Sequence, residues 1–216
     1  MSRPDVVTEM FAYDGGRQVT AYIPPGPPGA VVFAADGVWH AAQLVESLRA
    51  AGASSTLVVG VDGKPDDEGR LKEYVPAVEP ERFAAHERFF VDDVRAWMRS
   101  SLGIAFPPAR TAVWGASLGG ELALALGLRH PEIYGVVFSA SPGGGFRPTA
   151  TLPATLPRAY LVAGSEEQFF LDNATRWVEA FRAANADAIL KERPGSHGGA
   201  FWYDEFPLMT RWAFGG

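Results

Sequence analysis

The segment Thr111-Ala112-Val113-Trp114-Gly115-Ala116-Ser117-Leu118-Gly119-Gly120 carries a short apolar run into Gly-x-Ser-x-Gly and then into an Ala/Leu-rich stretch. A serine on a sharp strand-to-helix turn exposes its hydroxyl for nucleophilic attack, and the flanking glycines remove Cβ atoms that would clash there. Ser117 is the expected nucleophile. The helix that starts at Leu118 would aim its positive end and its free N–H groups at the same point, so an anion forming there is stabilised. The five-residue pattern alone is weak evidence; the strand before it and the helix after it make it specific.

A serine hydroxyl needs a base at neutral pH, and histidine is the usual one. The chain has four histidines. His40 opens a helix, while capping or surface roles suffice for His86 and for His130, which precedes Pro131. His197 sits in Arg193-Pro194-Gly195-Ser196-His197-Gly198-Gly199, a loop permissive enough to bring an imidazole against a distant serine. It is the expected base. In parallel-sheet enzymes built around such a turn the chain order is nucleophile, acid, histidine, so the acid should lie between Ser117 and His197 at a strand end. Ala159-Tyr160-Leu161-Val162-Ala163-Gly164-Ser165-Glu166-Glu167 meets that condition. Composition does not separate the two glutamates; the spacing from Gly164 favours Glu167, with Glu166 the alternative and Asp172 a weaker third choice.

A tetrahedral intermediate also needs two donors for its oxyanion. The N–H of Leu118 is one. The loop Asp36-Gly37-Val38-Trp39 should supply the other, with Val38 the first choice and Gly37 the second. Asp36, standing before a glycine, is expected to hydrogen-bond its own backbone.

These groups must be positioned by a scaffold, and the pattern of the chain describes one. Residues 8–23 alternate around Asp14-Gly15-Gly16 as an antiparallel hairpin. Apolar runs at 30–35, 56–61, 111–114, 135–139, 159–163 and 188–192 read as buried strands. Helical patterns fill 40–51, 83–102, 118–129, 171–184 and 200–212, whereas 62–78 shows no useful periodicity and reads as a long loop beside a site. The expected architecture is a three-layer α/β sandwich with a mostly parallel sheet and an antiparallel N-terminal hairpin. A length of 216 residues suits one domain spanning 1–216.

Composition narrows the partners. A net charge of -6 without clustered basic residues argues against nucleic acid. The absence of cysteine excludes disulfides, thiolate metal sites and cysteine nucleophiles. No run approaches a membrane span, and acidic residues stand where a leader would need an apolar core, so the chain is expected to be cytoplasmic.

Taken with Arg70-Leu71-Lys72-Glu73-Tyr74-Val75-Pro76, with Trp39 beside Asp36-Gly37, and with Trp202 after Gly195-Ser196-His197, these motifs resemble the esterase family that includes enterochelin (ferric siderophore) esterases, esterase D and, more distantly, mycolyltransferases. The resemblance spans roughly residues 30–212. It implies an α/β-hydrolase fold, a Ser-acid-His triad, a covalent acyl-enzyme, a small-molecule carboxylic ester as substrate and no cofactor; where a typical member is longer, this sequence shows no inserted helical lid, so a comparatively open pocket is expected. The extra N-terminal domain common in siderophore esterases is not expected from these residues. Trp39, Arg70 and Phe146 are candidates for substrate contact, with Phe169 and Phe201 further lining residues by position. For Arg70 and Glu73, an ion pair that fixes the long loop is the competing role. Acyl transfer by the same intermediate, or a non-catalytic binding module on the same fold, are the alternative functions.

Overall fold

The computed structural model describes residues 5–53 and 55–215. The first four residues of the stretch read above for a leader lie outside the described residues.

Strands β1 (Asp5–Phe11) and β2 (Arg17–Ile23) pair antiparallel across a turn in which Asp14, Gly15 and Gly16 all take positive φ. That backbone is costly for most L-residues and cheap for this Asp-Gly-Gly. The chain then alternates: β3 (Ala30–Ala35), α1 (Gly37–Ala50), β4 (Thr56–Val61), α2 (Asp67–Tyr74), α3 (Pro80–Arg88), a π-helical turn (Phe89–Val94) and α4 (Arg95–Leu102). It continues through β5 (Thr111–Ala116), α5 (Leu118–Arg129), β6 (Val136–Ala140), β7 (Arg158–Gly164), α6 (Gln168–Ala183), β8 (Ala188–Arg193), α7 (Phe201–Asp204) and α8 (Phe206–Phe214). The strands form one sheet in the order β1-β2-β4-β3-β5-β6-β7-β8, parallel from β4 to β8.

Both faces of that sheet are covered, and strand alternation divides the core in two. Val31, Phe33, Val59 and Val113 pack with Phe89, Leu122 and Trp177 under α3 to α6, while Val32, Ala34, Val58 and Trp114 pack with Leu44 and Phe206 under α1 and α8. Side chains of successive strand residues point to opposite faces, so apolar runs buried on both sides are what a covered parallel sheet requires. The three layers and the N-terminal hairpin expected from the sequence are present. No described helix is long and apolar enough to cross a membrane.

Three expectations need correction. The segment 62–78 is not all loop: Asp66 caps α2 by accepting a 2.8 Å bond from the Gly69 N–H. This helix is short and acid-rich, so its hydrophobic periodicity is faint. The C-terminal helix is broken into α7 and α8 around Glu205. His86 is fully buried among Tyr13, Tyr74 and Phe90, where burial holds its pKa down at about 3 and keeps it neutral.

The chain leaves β3 toward β4 on one side and returns to place β5 on the other, so the loops after β3 and β5 face each other across a switch point at the carboxyl ends of the strands. Helix α1 starts directly over β4. A Cβ on Gly60 would lie 2.7 Å from the Cβ of Ala41 and 2.9 Å from the Cα of Gly37. Gly60→Ala is therefore expected to lower stability by about 1–3 kcal/mol through overpacking. Thermal unfolding checks this, and an unchanged midpoint would mean that α1 is not seated so closely.

Candidate active site

Ser117 occupies the turn between β5 and α5 with φ 55° and ψ −120°. Its N–H donates to the carbonyl of Ala140 at 2.9 Å, which ties the turn to the end of β6. A Cβ at Gly115 would collide with the Gly119 carbonyl, so the turn closes only because that position is glycine.

The loop after β8 brings His197 to this serine, with 3.1 Å between His197 Nε2 and Ser117 Oγ. Gly195 and Gly198 take positive φ on either side of it. Two backbone bonds, Ser165 N–H to Arg193 O at 2.8 Å and Glu166 N–H to Gly195 O at 3.0 Å, pin the loop to the end of β7. Below it, the Glu205 carboxylate accepts from Arg193 Nε at 2.6 Å and from the Tyr160 hydroxyl. The phenyl ring of Phe170 stacks on the imidazole with centroids 3.8 Å apart, and Trp202 meets it edge-on at 5.1 Å. Ring orientation is thus fixed by contacts on more than one side.

Glu167 lies 2.6 Å from His197 Nδ1 through Oε2, while its Oε1 accepts from the Gly164 N–H at 2.6 Å and the Ser141 hydroxyl at 2.5 Å. It is buried, whereas Glu166 is exposed and Asp172 pairs with Gln168 on the open face of α6. Of the three acids weighed from sequence, the structure brings only Glu167 to His197. Ser141 is a member of this cluster that the sequence reading did not find. It follows β6 with φ 45° and also accepts a 2.7 Å bond from Trp202 Nε1.

The donors on either side of the serine are unequal. The Leu118 and Gly37 N–H groups have no acceptor among the described residues. The Val38 N–H, expected to be free, donates to Asp62 Oδ1 at 2.6 Å because parallel pairing of β3 and β4 sets the ends of both strands side by side. Asp62 is half-buried, which raises its pKa from the ordinary carboxylate value.

Asp36 does not bond its own backbone. Its carboxylate, 1% exposed, accepts from Arg70 Nε at 2.9 Å, Arg70 Nη2 at 2.7 Å and the Tyr74 hydroxyl at 2.8 Å. Arg70 also donates to Asp67 at 3.0 Å and lies over the Trp39 ring, 5.1 Å from its centroid. It is therefore a tether between α2 and the loop after β3, and no longer a candidate for substrate contact. Glu73 forms a separate pair, 2.5 Å from Arg17. Trp39 remains exposed beside the site, as does Phe169. Phe201 is buried beneath the Gly195 loop, and the partly exposed Phe146 packs on Trp177 with centroids 5.2 Å apart and lines a cavity with Pro76, Leu128 and Arg147.

Glu121, one helical turn after Ser117, is buried and accepts from the Gly145 and Phe146 N–H groups of the loop after β6. Burial pushes its pKa up from 4.5 to about 7. Stability linked to this group is full while the unfolded glutamate is still protonated, and it is lost as pH rises through the folded value. Between about pH 4 and pH 8 the wild type should lose about 3 kcal/mol relative to Glu121→Gln. Parallel unfolding curves would show instead that Glu121 titrates normally.

The family model described as "Putative esterase" matches residues 15–213. No curated protein matches the chain by sequence. Among solved structures, a siderophore hydrolase from Aspergillus nidulans superposes with a TM-score of 0.75 at 17% identity, covering 98% of this chain and 94% of that one. An S-formylglutathione hydrolase from Agrobacterium tumefaciens gives 0.70 at 15% identity, covering 96% and 93%. An enterobactin esterase from Shigella flexneri gives 0.76 at 17% identity and 95% coverage of this chain, which spans only 59% of that longer protein. At these identities the likeness establishes the fold.

Proposed function

The chain belongs to the esterase family matched over residues 15–213, and from that premise we propose that it hydrolyses small-molecule carboxylic esters through a Ser117-His197-Glu167 triad and an acyl-enzyme. The observation that carries this reading is the continuous chain from Ser117 Oγ through the imidazole to the Glu167 carboxylate, with links of 3.1 and 2.6 Å.

In the forward direction, Ser117 Oγ attacks the ester carbonyl while His197 Nε2 takes the hydroxyl proton. Glu167 keeps the other proton on Nδ1 and stabilises the imidazolium, and its two bonds from Ser141 and Gly164 keep it oriented for that task. The carbonyl oxygen, now negative, meets the Leu118 N–H at the positive end of α5. Its second donor comes from the start of α1, from Val38 if Asp62 gives way or from Gly37 if it does not. Collapse of the intermediate passes the His197 proton to the departing alcohol. Water, deprotonated by His197, then attacks the acyl-enzyme and restores Ser117.

A fluorophosphonate probe should label the wild type and fail to label Ser117→Ala. Absence of wild-type labelling would favour the non-catalytic alternative, and product capture by an added alcohol would favour acyl transfer. Glu167→Gln should lower kcat by about three to four orders of magnitude, by analogy with loss of the orienting acid in other triads, while Glu166→Gln stays near wild type. The reverse pattern in steady-state kinetics would transfer the role to Glu166.

A further inference from the structure

Asp62 lies at the start of α1, where its carboxylate would compete with a substrate for a backbone donor. Its Oδ1 lies 2.6 Å from the Val38 nitrogen, and the single hydrogen on that nitrogen cannot serve both this carboxylate and a substrate oxyanion. When a carbonyl oxygen takes the Val38 N–H, Asp62 loses the one hydrogen bond it accepts among the described residues and remains half-buried. A developing oxyanion would then form next to a carboxylate without a partner, an arrangement that disfavours the transition state.

Among the described residues no cation pairs with Asp62 to compensate. Arg17 is held by Asp14 and Glu73, Lys64 by Asp14, and Arg70 by Asp36 and Asp67. Asp36 adds a second negative group nearby, and the Tyr22 ring offers no charge. Asp62 itself forms no ion pair among the described residues, and it follows the carboxyl end of β4, on the far side of β3 from the β5 turn that carries Ser117. The positive end of α1 supports the carboxylate, but with no ion pair its charge is open to a cationic group on a substrate.

Resting on the hydrolytic reading above, we propose that Asp62 is a specificity-determining residue that selects esters carrying an ammonium group close to the reacting carbonyl. In the bound state the substrate cation replaces the Val38 N–H as the partner of Asp62, which frees that donor for the oxyanion and neutralises the adjacent charge. The cation can lie on the acyl side, as in an amino acid ester, or on the alcohol side, as in an amino alcohol ester; both present the same chemistry to the carboxylate.

Two isosteric pairs near neutral pH distinguish the sources: alanine ethyl ester against ethyl isobutyrate, and 2-(dimethylamino)ethyl propionate against 3-methylbutyl propionate. The quantity read is the ratio of kcat/KM within each pair, which is independent of the folded fraction of the enzyme. The wild type should favour the charged member of at least one pair by about tenfold or more. Asp62→Asn, which keeps an acceptor for Val38, and Asp62→Ala should each bring that ratio close to one. A wild type without such preference in either pair, or a preference that survives in both variants, overturns the assignment. If Ser117 is still labelled by the fluorophosphonate in that case, only the role of Asp62 falls; loss of labelling would remove the triad reading instead.

Discussion

The carboxylate of Glu167 is the group on which the geometry of the site depends. It is buried at the end of β7 and reaches three partners from three segments: Gly164 on its own strand, Ser141 after β6 and His197 after β8. A buried carboxylate with its bonds unmade would be strongly destabilising, so the fold holds these segments together or not at all. Because Ser141 also receives Trp202 Nε1, the same constraint extends to α7 and through it to the ring packed edge-on against His197.

A second regularity lies in the strands themselves. Three adjacent parallel strands, β3, β5 and β6, each end in a non-glycine residue with positive φ: Asp36 at 53°, Ser117 at 55° and Ser141 at 45°. Each such residue costs about 1–3 kcal/mol and persists only where its surroundings over-determine it. Here they do. Arg70 and Tyr74 grip Asp36, Glu167 and Trp202 grip Ser141, and the close approach at Gly115 shapes the turn at Ser117. The shared conformation turns the backbone abruptly at the carboxyl edge of the sheet, which is how residues distant in sequence come to face one cleft.

What was legible in the sequence follows from this arrangement. The elbow is a local motif, so Gly115, Ser117 and Gly119 could be read together with their strand and helix. Buried strands announce themselves as apolar runs, and β3, β4 and α5 begin and end where that reading had them. Glu166 and Glu167 are adjacent and chemically alike; only the direction each side chain takes at the start of α6 separates a buried carboxylate from an exposed one. The Asp62 bond to Val38 joins residues 24 positions apart and depends on the register of β3 against β4, a relation no local pattern encodes. Ser141 left one faint signal, a polar residue directly after a buried strand. Helix α2 was hidden because Arg70, Glu73 and Tyr74 bury polar groups in ion pairs and hydrogen bonds, where hydrophobic periodicity has nothing to report.

Electrostatics distinguishes the two helix starts that converge on the cleft. Helices α1 and α5 both direct the positive ends of their dipoles toward it. At both starts the preceding residue's carbonyl accepts from the third and fourth N–H groups, Asp36 O from Trp39 and His40 and Ser117 O from Gly120 and Glu121, but at α1 the Asp62 carboxylate also takes Val38. At α5 the Leu118 N–H has no acceptor among the described residues, and the nearest acid on that helix, Glu121, is turned into the loop after β6. Positive potential is therefore less compensated on the side of Ser117 than at α1, where Asp62 brings a negative charge. Negative charge on the other side is held by Asp62, a half-buried group that forms no ion pair among the described residues. On the proposed reading, an oxyanion donor on one side and a carboxylate without an ion pair on the other would make the site polar, and that polarity would orient an ester before any contact with its acyl chain is made.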